Sequence, residues 1–521
     1  MAHHTTIKHP EAFIREALQS LDINFSHSNE ALAETRHWLD NPGLDDPALS
    51  DLTHLPFVTI DNEDSKDLDQ ALYISSDGYD YHLMYALADA SYYIRPGSAL
   101  FAEALQRGTT FYTPLLAVPM LPPALSEGLI SLNPDVERRS LVFDMRLRSD
   151  GEVLNCQIVR AKIRSHAKLS YQGVQQWLDA KQGDTQPYHP PLRLLKELGS
   201  TLINAGEARG IIQFDRQETH IKLEGEPLSL SAAPRERYAT ERYNEQISLI
   251  CNMQGAKLLL GLAGISDVLQ AVYRVHEAPL KKSLAQLKVT LDELAESAND
   301  SEHWRWQKDQ TLADFVASLP DDKKHERRVS AIQRQIMMAQ RGSQFTPEPG
   351  EHHALKACSY ARFSSPMREV VGIFTHKELL EALEGGEYDN EADHALREQI
   401  ITSANVARQT QRQLDKKIQL AVLHTVFMHE LETQTPQWHQ GTIMGVRSDK
   451  LYIKLDDMAI DVKVYIDNLD TLFGTRYTTT SVSAQAAKES APAWTLGDAI
   501  QLRANGYDAN KQRFEFDMRH E

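Results

Sequence analysis

The sequence predicts an α+β fold in which a β-rich stretch, a long helical stretch and a small terminal β-barrel follow one another. Three observations carry this. From about Pro56 to Leu169, short apolar runs alternate in period two between Gly, Pro and Asp breaks, as strands do. Beyond Tyr171, apolar residues recur at helical spacing. After Gln437 the strand texture returns in about five short pieces joined by Gly- and Asp-bearing turns.

In order, residues 1–50 read as two short helices, PEAFIREALQSL and NEALAETRHWLD, followed by a Pro/Gly/Asp linker. FVTIDNEDSKDLDQALYI is an apolar strand, an acid-rich turn and a second apolar strand. HLMYALADASYYI, RRSLVFDMRLR and GEVLNCQIVRAKIRS continue the strand pattern. SYQGVQQWLDA, PPLRLLKELGSTLINAGEARG, ERYNEQISLICNMQGAKLLLGL and LKVTLDELAES are helical, and a further helical run spans roughly Lys377 to Leu431. HQGTIMGVRSDKLYIKLDD, MAIDVKVYIDNLD and GDAIQLRANGYDANKQRFEFDMR supply the terminal strands, with Ser481 to Ala493 expected as a flexible loop. Five strands in so short a span suit a closed barrel of the OB type, a common platform for single-stranded nucleic acid. The expected divisions are 1–50, 51–435 and 436–521.

Hydrophobic content of 41% and charged content of 25% are ordinary for a globular chain. The longest apolar stretch, Leu258 to Ile265, is too short to cross a bilayer, and the N-terminus lacks the pattern of a secretory signal. Cys156, Cys251 and Cys358 form no paired spacing, so reduced core thiols in a cytoplasmic protein are expected. A net charge of −18 argues against wrapping of nucleic acid by the whole surface. Between Arg138 and Tyr171, however, eight basic residues face three acidic ones. That window reads either as a track for a confined anionic substrate or as the solvated face of a hairpin.

The acid turn carries most of the chemistry. Asp61, Asp67 and Asp69, with Glu63 and Asp64 between them, crowd carboxylates into a tight bend. Residues two apart in extended chain share a side, so Asp67 and Asp69 can converge while Leu68 enters the core. Carboxylates that close raise each other's pKa unless a cation sits among them, and the matching cation is a hard one, Mg²⁺ or Mn²⁺. A solvated acidic hairpin is the bland alternative. A calcium loop fails, because Lys66 stands where the sharp-turn glycine belongs and Leu72 where the closing glutamate belongs.

Several segments together resemble one family, the RNB-domain exoribonucleases of the ribonuclease II and ribonuclease R type. They are the acid turn, ALADASYYIRPGSALFAEALQRGTTFYTP, VPMLPPALSEGLISLNPDVERRSLVFDM, IRSHAKLSYQGVQ, RVHEAP and YARFSSPMREVVGIFTHKELL, in that order over about residues 56–430. The resemblance implies an RNB catalytic domain followed by an OB-fold RNA-binding domain. It also implies processive 3′→5′ hydrolysis of single-stranded RNA to nucleoside 5′-monophosphates, with Mg²⁺ and with Mn²⁺ as the other candidate. Carried over by position, it makes Asp61, Asp67, Asp69 and Gln70 the metal site, Asp69 and Arg368 the catalytic pair, and Tyr112, Tyr171 and Phe214 the aromatics that stack on RNA bases. It further implies a monomer with no membrane association.

The chain also departs from the family pattern. Gln70 stands in place of a fourth aspartate, and Glu369, Val370, Val371 and Gly372 replace the run after the Ser-Pro arginine. Arg408, Gln409 and Arg412 occupy the region where a late-helix glutamate is expected. About 50 helical N-terminal residues cannot hold the family's cold-shock barrels, which suggests a protein partner that guides RNA into the channel. These departures open an alternative: a catalytically weakened RNB-family protein that binds RNA or regulates.

Overall fold

Alternation along Phe57–Asp61 sends Phe57 to one apolar cluster and Val58 and Ile60 to another, so both faces of this strand are buried. The computed structural model describes residues 10–181, 183–214, 218–224, 229–235, 237–263, 269–297, 301–385 and 390–521. Within them the same division continues through Gln70–Ser76, with Ala71 on the first side and Leu72 and Ile74 on the second.

These strands belong to a six-stranded sheet in the order Ser50–Asp51, Val153–Ser170, Phe57–Asp61, Gln70–Ser76, Asp80–Ala88, Glu137–Arg148. Val153–Ser170 pairs antiparallel with Glu137–Arg148 along its first part and parallel with Phe57–Asp61 along its last, so the sheet returns on itself. The parallel register sets Asp61 opposite Ser170. Ser170 caps the helix Tyr171–Asp179 by accepting the Gly173 N–H. The acid turn therefore leaves the sheet beside the start of a helix.

Helices cover both faces. His189–Ala208 and Ala239–Ala263 press Leu192, Leu195, Leu198, Ile247 and Ile250 onto one side. Val370–Glu384 presses Val370, Val371, Ile373 and Phe374 onto the other. At roughly 1.5–3 kcal/mol for each buried side chain of this size, such packing fixes the sheet ends that carry the acids. The helical run expected from Lys377 to Leu431 is two helices, Val370–Glu384 and Asn390–Glu432, and residues 386–389 lie outside the described residues. The N-terminal helices Pro10–Gln19 and Asn29–Asp40 form as expected, and Ile14 and Leu18 pack with Leu414 and Ile418 of the long helix.

The terminal sheet runs Asp461–Tyr465, Lys450–Leu455, His439–Arg447, Ala499–Asp508, Arg513–His520, an OB-type order. Two expectations need correction here. IDNLD is not strand: Ile466–Phe473 is a helix whose buried Ile466 and Leu469 stand three apart, and Gly474 ends it in the left-handed region. The expected loop from Ser481 to Ala493 contains the strand Ser483–Ala486, which pairs with Tyr477–Thr479 and Trp494–Thr495 and buries Ala484 in the barrel core. Small residues made this strand look like a linker. Of the cysteines, Cys251 is buried, Cys156 half-buried and Cys358 exposed, so Cys358 is not the core thiol expected. Among the described residues no helix is long and apolar enough to cross a membrane.

Candidate active site

Ser131 shapes the acid turn: its hydroxyl accepts the Leu68 N–H at 3.0 Å and donates to the Lys66 carbonyl at 2.8 Å. Leu68 plugs into the first core cluster, which leaves Asp67 and Asp69 on either side of it. Asp69 is fully buried. Its Oδ1 accepts the Met367 backbone N–H at 2.8 Å, and its Oδ2 accepts Arg368 Nε–H at 2.6 Å. Burial pushes this carboxyl up to about 6, Arg368 restrains the rise, and Asp67 adds to it.

Arg368 owes its position to the loop Phe363–Arg368. The Asn252 side-chain oxygen accepts the N–H groups of Phe363 and Ser364, at 2.7 and 3.1 Å, and its nitrogen donates to Tyr360 Oη and Ser364 Oγ. The Arg368 carbonyl accepts from the Thr110 N–H at 2.9 Å and from Thr109 Oγ1 at 2.8 Å. Burial opposes the Arg368 charge, but Asp69, then Tyr112, Asp61 and Asp67, hold the guanidinium protonated well above its ordinary range.

Asp61, Asp69, Tyr171 and Arg368 line one cavity of about 200 Å³. Tyr171 Oη accepts from Asn244 Nδ2 at 3.4 Å, and burial, helped by Asp61, pushes its phenol up to about 12. Tyr112, 44% exposed, stands beside this cavity within reach of Arg368 and Asp67, but neither Tyr112 nor Asp67 is among the residues that line it. The Tyr112 hydroxyl donates to Asp67 Oδ2 at 3.2 Å, and Gln411 fixes its backbone from both sides.

Two expected residues sit otherwise. Gln70 lines the cavity, yet its amide nitrogen donates to the Ser364 carbonyl and its oxygen accepts from the Tyr85 hydroxyl, so the amide ties the acid strand to the Ser364 loop and is not held ready for a cation. Phe214 is not among the cavity residues; it packs half-buried against the helical cluster around Leu291, Trp304 and Phe315.

Sequence reasoning missed one wall entirely. Glu241, Asn244, Glu245 and Ser248 line the cavity from Ala239–Ala263. Their spacing of three, four and seven puts polar groups on one helical stripe, a signal present in the sequence. The basic window between Arg138 and Tyr171 is largely spent elsewhere. Arg139 pairs with Asp89 and Asp46, Arg148 with Asp150 and Glu152, Arg160 with Glu384, and Lys162 and Arg164 with Glu137.

The donor set fits a divalent cation in charge and in donor type, though not in spacing. Asp61, Asp67 and Asp69 against the single charge of Arg368 leave two negative charges, and among the described residues neither Asp61 nor Asp67 forms an ion pair. Carboxylate oxygens are the hard donors such an ion prefers. The three do not gather about one point. Among the described residues the acidic group that does is Glu378, Glu381 and Asp393, and the ammonium of Lys377 already sits among them.

A family model described as RNB domain matches residues 49–385. Ribonuclease R of Escherichia coli strain K12 is 28% identical over 481 residues, which cover 90% of this chain and 57% of that protein. The chain thus spans little more than half the length of such curated relatives. Mycoplasma genitalium RNase R, solved in complex with ribose-methylated single-stranded RNA, shares the fold at a TM-score of 0.85 with 21% identity, over 97% of this chain and 77% of that one. Yeast Ssd1, solved as a pseudonuclease, shares it at a TM-score of 0.66 with 15% identity, over 96% of this chain and 59% of that one. With the RNB model matching well over half of its residues, from the first sheet strand through the helix Val370–Glu384, this chain belongs to the RNB-domain family.

Proposed function

We propose that the chain is a 3′→5′ exoribonuclease that degrades single-stranded RNA to nucleoside 5′-monophosphates. The observation that carries this is the buried Asp69–Arg368 pair on a cavity that Asp61 and Tyr171 also line. Asp61, Asp67 and Asp69 would hold a divalent cation, Mg²⁺ or Mn²⁺, which would supply a nucleophilic hydroxide near neutral pH and neutralise charge at the scissile phosphate. Asp69 takes Nε of Arg368 and orients the remainder of the guanidinium for phosphate oxygens, where charge develops during cleavage. Tyr112 and Tyr171 stack on bases without regard to sequence, at roughly 1–3 kcal/mol per base. Phe214 stays out of the proposed clamp, since it packs against the helical cluster.

The barrel supports RNA as substrate. On the outer face of its strand pair, Lys450 stands opposite Tyr465 and Tyr452 opposite Lys463, a mix of aromatic and basic groups suited to a single strand. The reading extends to a monomer, a cytoplasmic location suggested by three unpaired cysteines, and a separate protein that delivers RNA.

One observation favours a second reading, a catalytically weakened RNA-binding regulator: Gln70 brings no charge and spends its amide on Tyr85 and Ser364. The two readings part on 5′-labelled single-stranded RNA incubated with Mg²⁺, with Mn²⁺ and with EDTA. Metal-dependent shortening that Asp69→Asn abolishes supports the nuclease. Equal binding by both proteins with no shortening supports the regulator.

A further inference from the structure

We propose that Arg274, Arg408 and Arg412 form a second anion subsite, which holds a backbone phosphate of the RNA strand just outside the acid cavity; this rests on the nuclease reading above. Arg274 lies on the short strand Tyr273–Val275, while Arg408 and Arg412 stand one turn apart on the long helix, where residues four apart share a face. Arg274 Nε donates to Ser343 Oγ at 3.2 Å, and Arg408 donates to the Ser343 carbonyl at 2.9 Å and to its Oγ at 3.2 Å. The Phe345 ring receives both guanidiniums, at 6.0 and 5.7 Å from its centroid. Two of the three arginines are thus held rigidly toward each other.

Counter-charge is scarce. Among the described residues none of the three forms an ion pair with a carboxylate, and Glu369, the carboxylate that partly offsets Arg274 and Arg408, gives both its oxygens to Arg362, at 3.0 and 3.2 Å. Burial first, then Arg274 and Arg412, depress the Arg408 guanidinium to about 10, and burial with Arg362 and Arg412 depresses Arg274. Arg274 and Arg408 are half-buried and Arg412 is exposed, and like charges crowded in this way cost stability when they are not fully compensated. A phosphate relieves the crowding, because its oxygens match the guanidinium fork.

Placement points to the substrate strand. Gln411, between Arg408 and Arg412, donates to the Tyr112 carbonyl at 3.1 Å and accepts its N–H at 3.0 Å. Tyr112 reaches Asp67, and Arg362 borders the acid cavity. A strand stacked on Tyr112 carries its next phosphates past these arginines.

The test is binding in EDTA, where no hydrolysis intervenes. The full chain is titrated against a fluorescent single-stranded RNA of about 12 nucleotides in which one neutral methylphosphonate linkage is moved stepwise from the 3′ end. For the wild type, one linkage near that end should cost about tenfold in affinity. In Arg412→Gln, an exposed position, and in Arg408→Gln, that penalty should fall below about twofold, and the plot of log K against log salt should flatten by about 0.7. Variants that keep every linkage penalty of the wild type overturn the subsite. Coupling without metal-dependent shortening sinks the nuclease reading and leaves the subsite standing; shortening without coupling does the reverse. No binding by the wild type sinks both.

Discussion

Asp69 serves two demands that pull its carboxyl in opposite directions: it must be charged to hold Arg368, and it is buried where charge is costly. The folded chain binds its proton more tightly than the unfolded one, at about 6 against 3.8. The contribution of Asp69 to stability should therefore be greatest below about pH 4, fall as pH rises towards 6, and level off above. In EDTA, urea unfolding of the wild type relative to Asp69→Asn should lose on the order of 3 kcal/mol across that window. A flat difference would mean that the acid is better solvated than its burial implies. Beside the cavity, Tyr112→Ala should lengthen or blur the limit product, since one stacking platform is gone. An unchanged ladder removes Tyr112 from the clamp. The acid turn was legible because a strand–turn–strand pattern marks it locally, whereas Arg368, which shares a cavity with Asp61 and Asp69, was placed only through the resemblance of its Ser-Pro block to the family. The restraint on Gln70 was not legible, since its partners Tyr85 and Ser364 lie 15 and 294 residues away and nothing in a local pattern joins them.

Between elements, the most informative contact is the one that fastens the long helix to the barrel. His439, on the first barrel strand, sits between Glu430 at 2.9 Å and Asp457 at 3.0 Å. Burial alone would lower its pKa, but the two carboxylates push it up to about 9. The imidazolium therefore stabilises the fold fully below about pH 6.5, and this contribution is lost as pH rises through 9. The advantage of the wild type over His439→Gln should shrink by roughly 3 kcal/mol between those limits, read from denaturant midpoints. A pH-independent difference would assign His439 a packing role only. Elements whose apolar residues sit between clear breaks, such as Phe57–Asp61 and Ala239–Ala263, were readable from sequence. Ile466–Phe473 and Ser483–Ala486 were not, the first because eight residues barely complete two helical turns, the second because its small residues carry little apolar signal.

At the scale of the molecule, the division at 435/436 marks a change of texture more than a break in packing. Val422, Leu423, Val426 and Phe427 of the long helix lie in the barrel core, and Met444, Val482 and Leu496 of the barrel region lie in the helical cluster with Leu291 and Trp304. Arg327 bridges to Asp456 and Arg334 to Asp461 across the same junction. A chain ending at residue 435 should therefore expose the helix face and aggregate, or bind a hydrophobic dye, where the full chain stays soluble. A well-behaved truncated protein with native-like unfolding would contradict this continuity. Distant packing of this kind leaves no mark in local composition, so texture alone drew the boundary.

The central claim, that the acid cavity removes nucleotides one at a time from a 3′ end, is tested most directly with single-stranded RNA labelled on its last nucleotide. With Mg²⁺ the label should appear from the first time point as a nucleoside 5′-monophosphate, and Asp69→Asn should release none. Label that stays on long strands, or that leaves within internal fragments, would contradict the account.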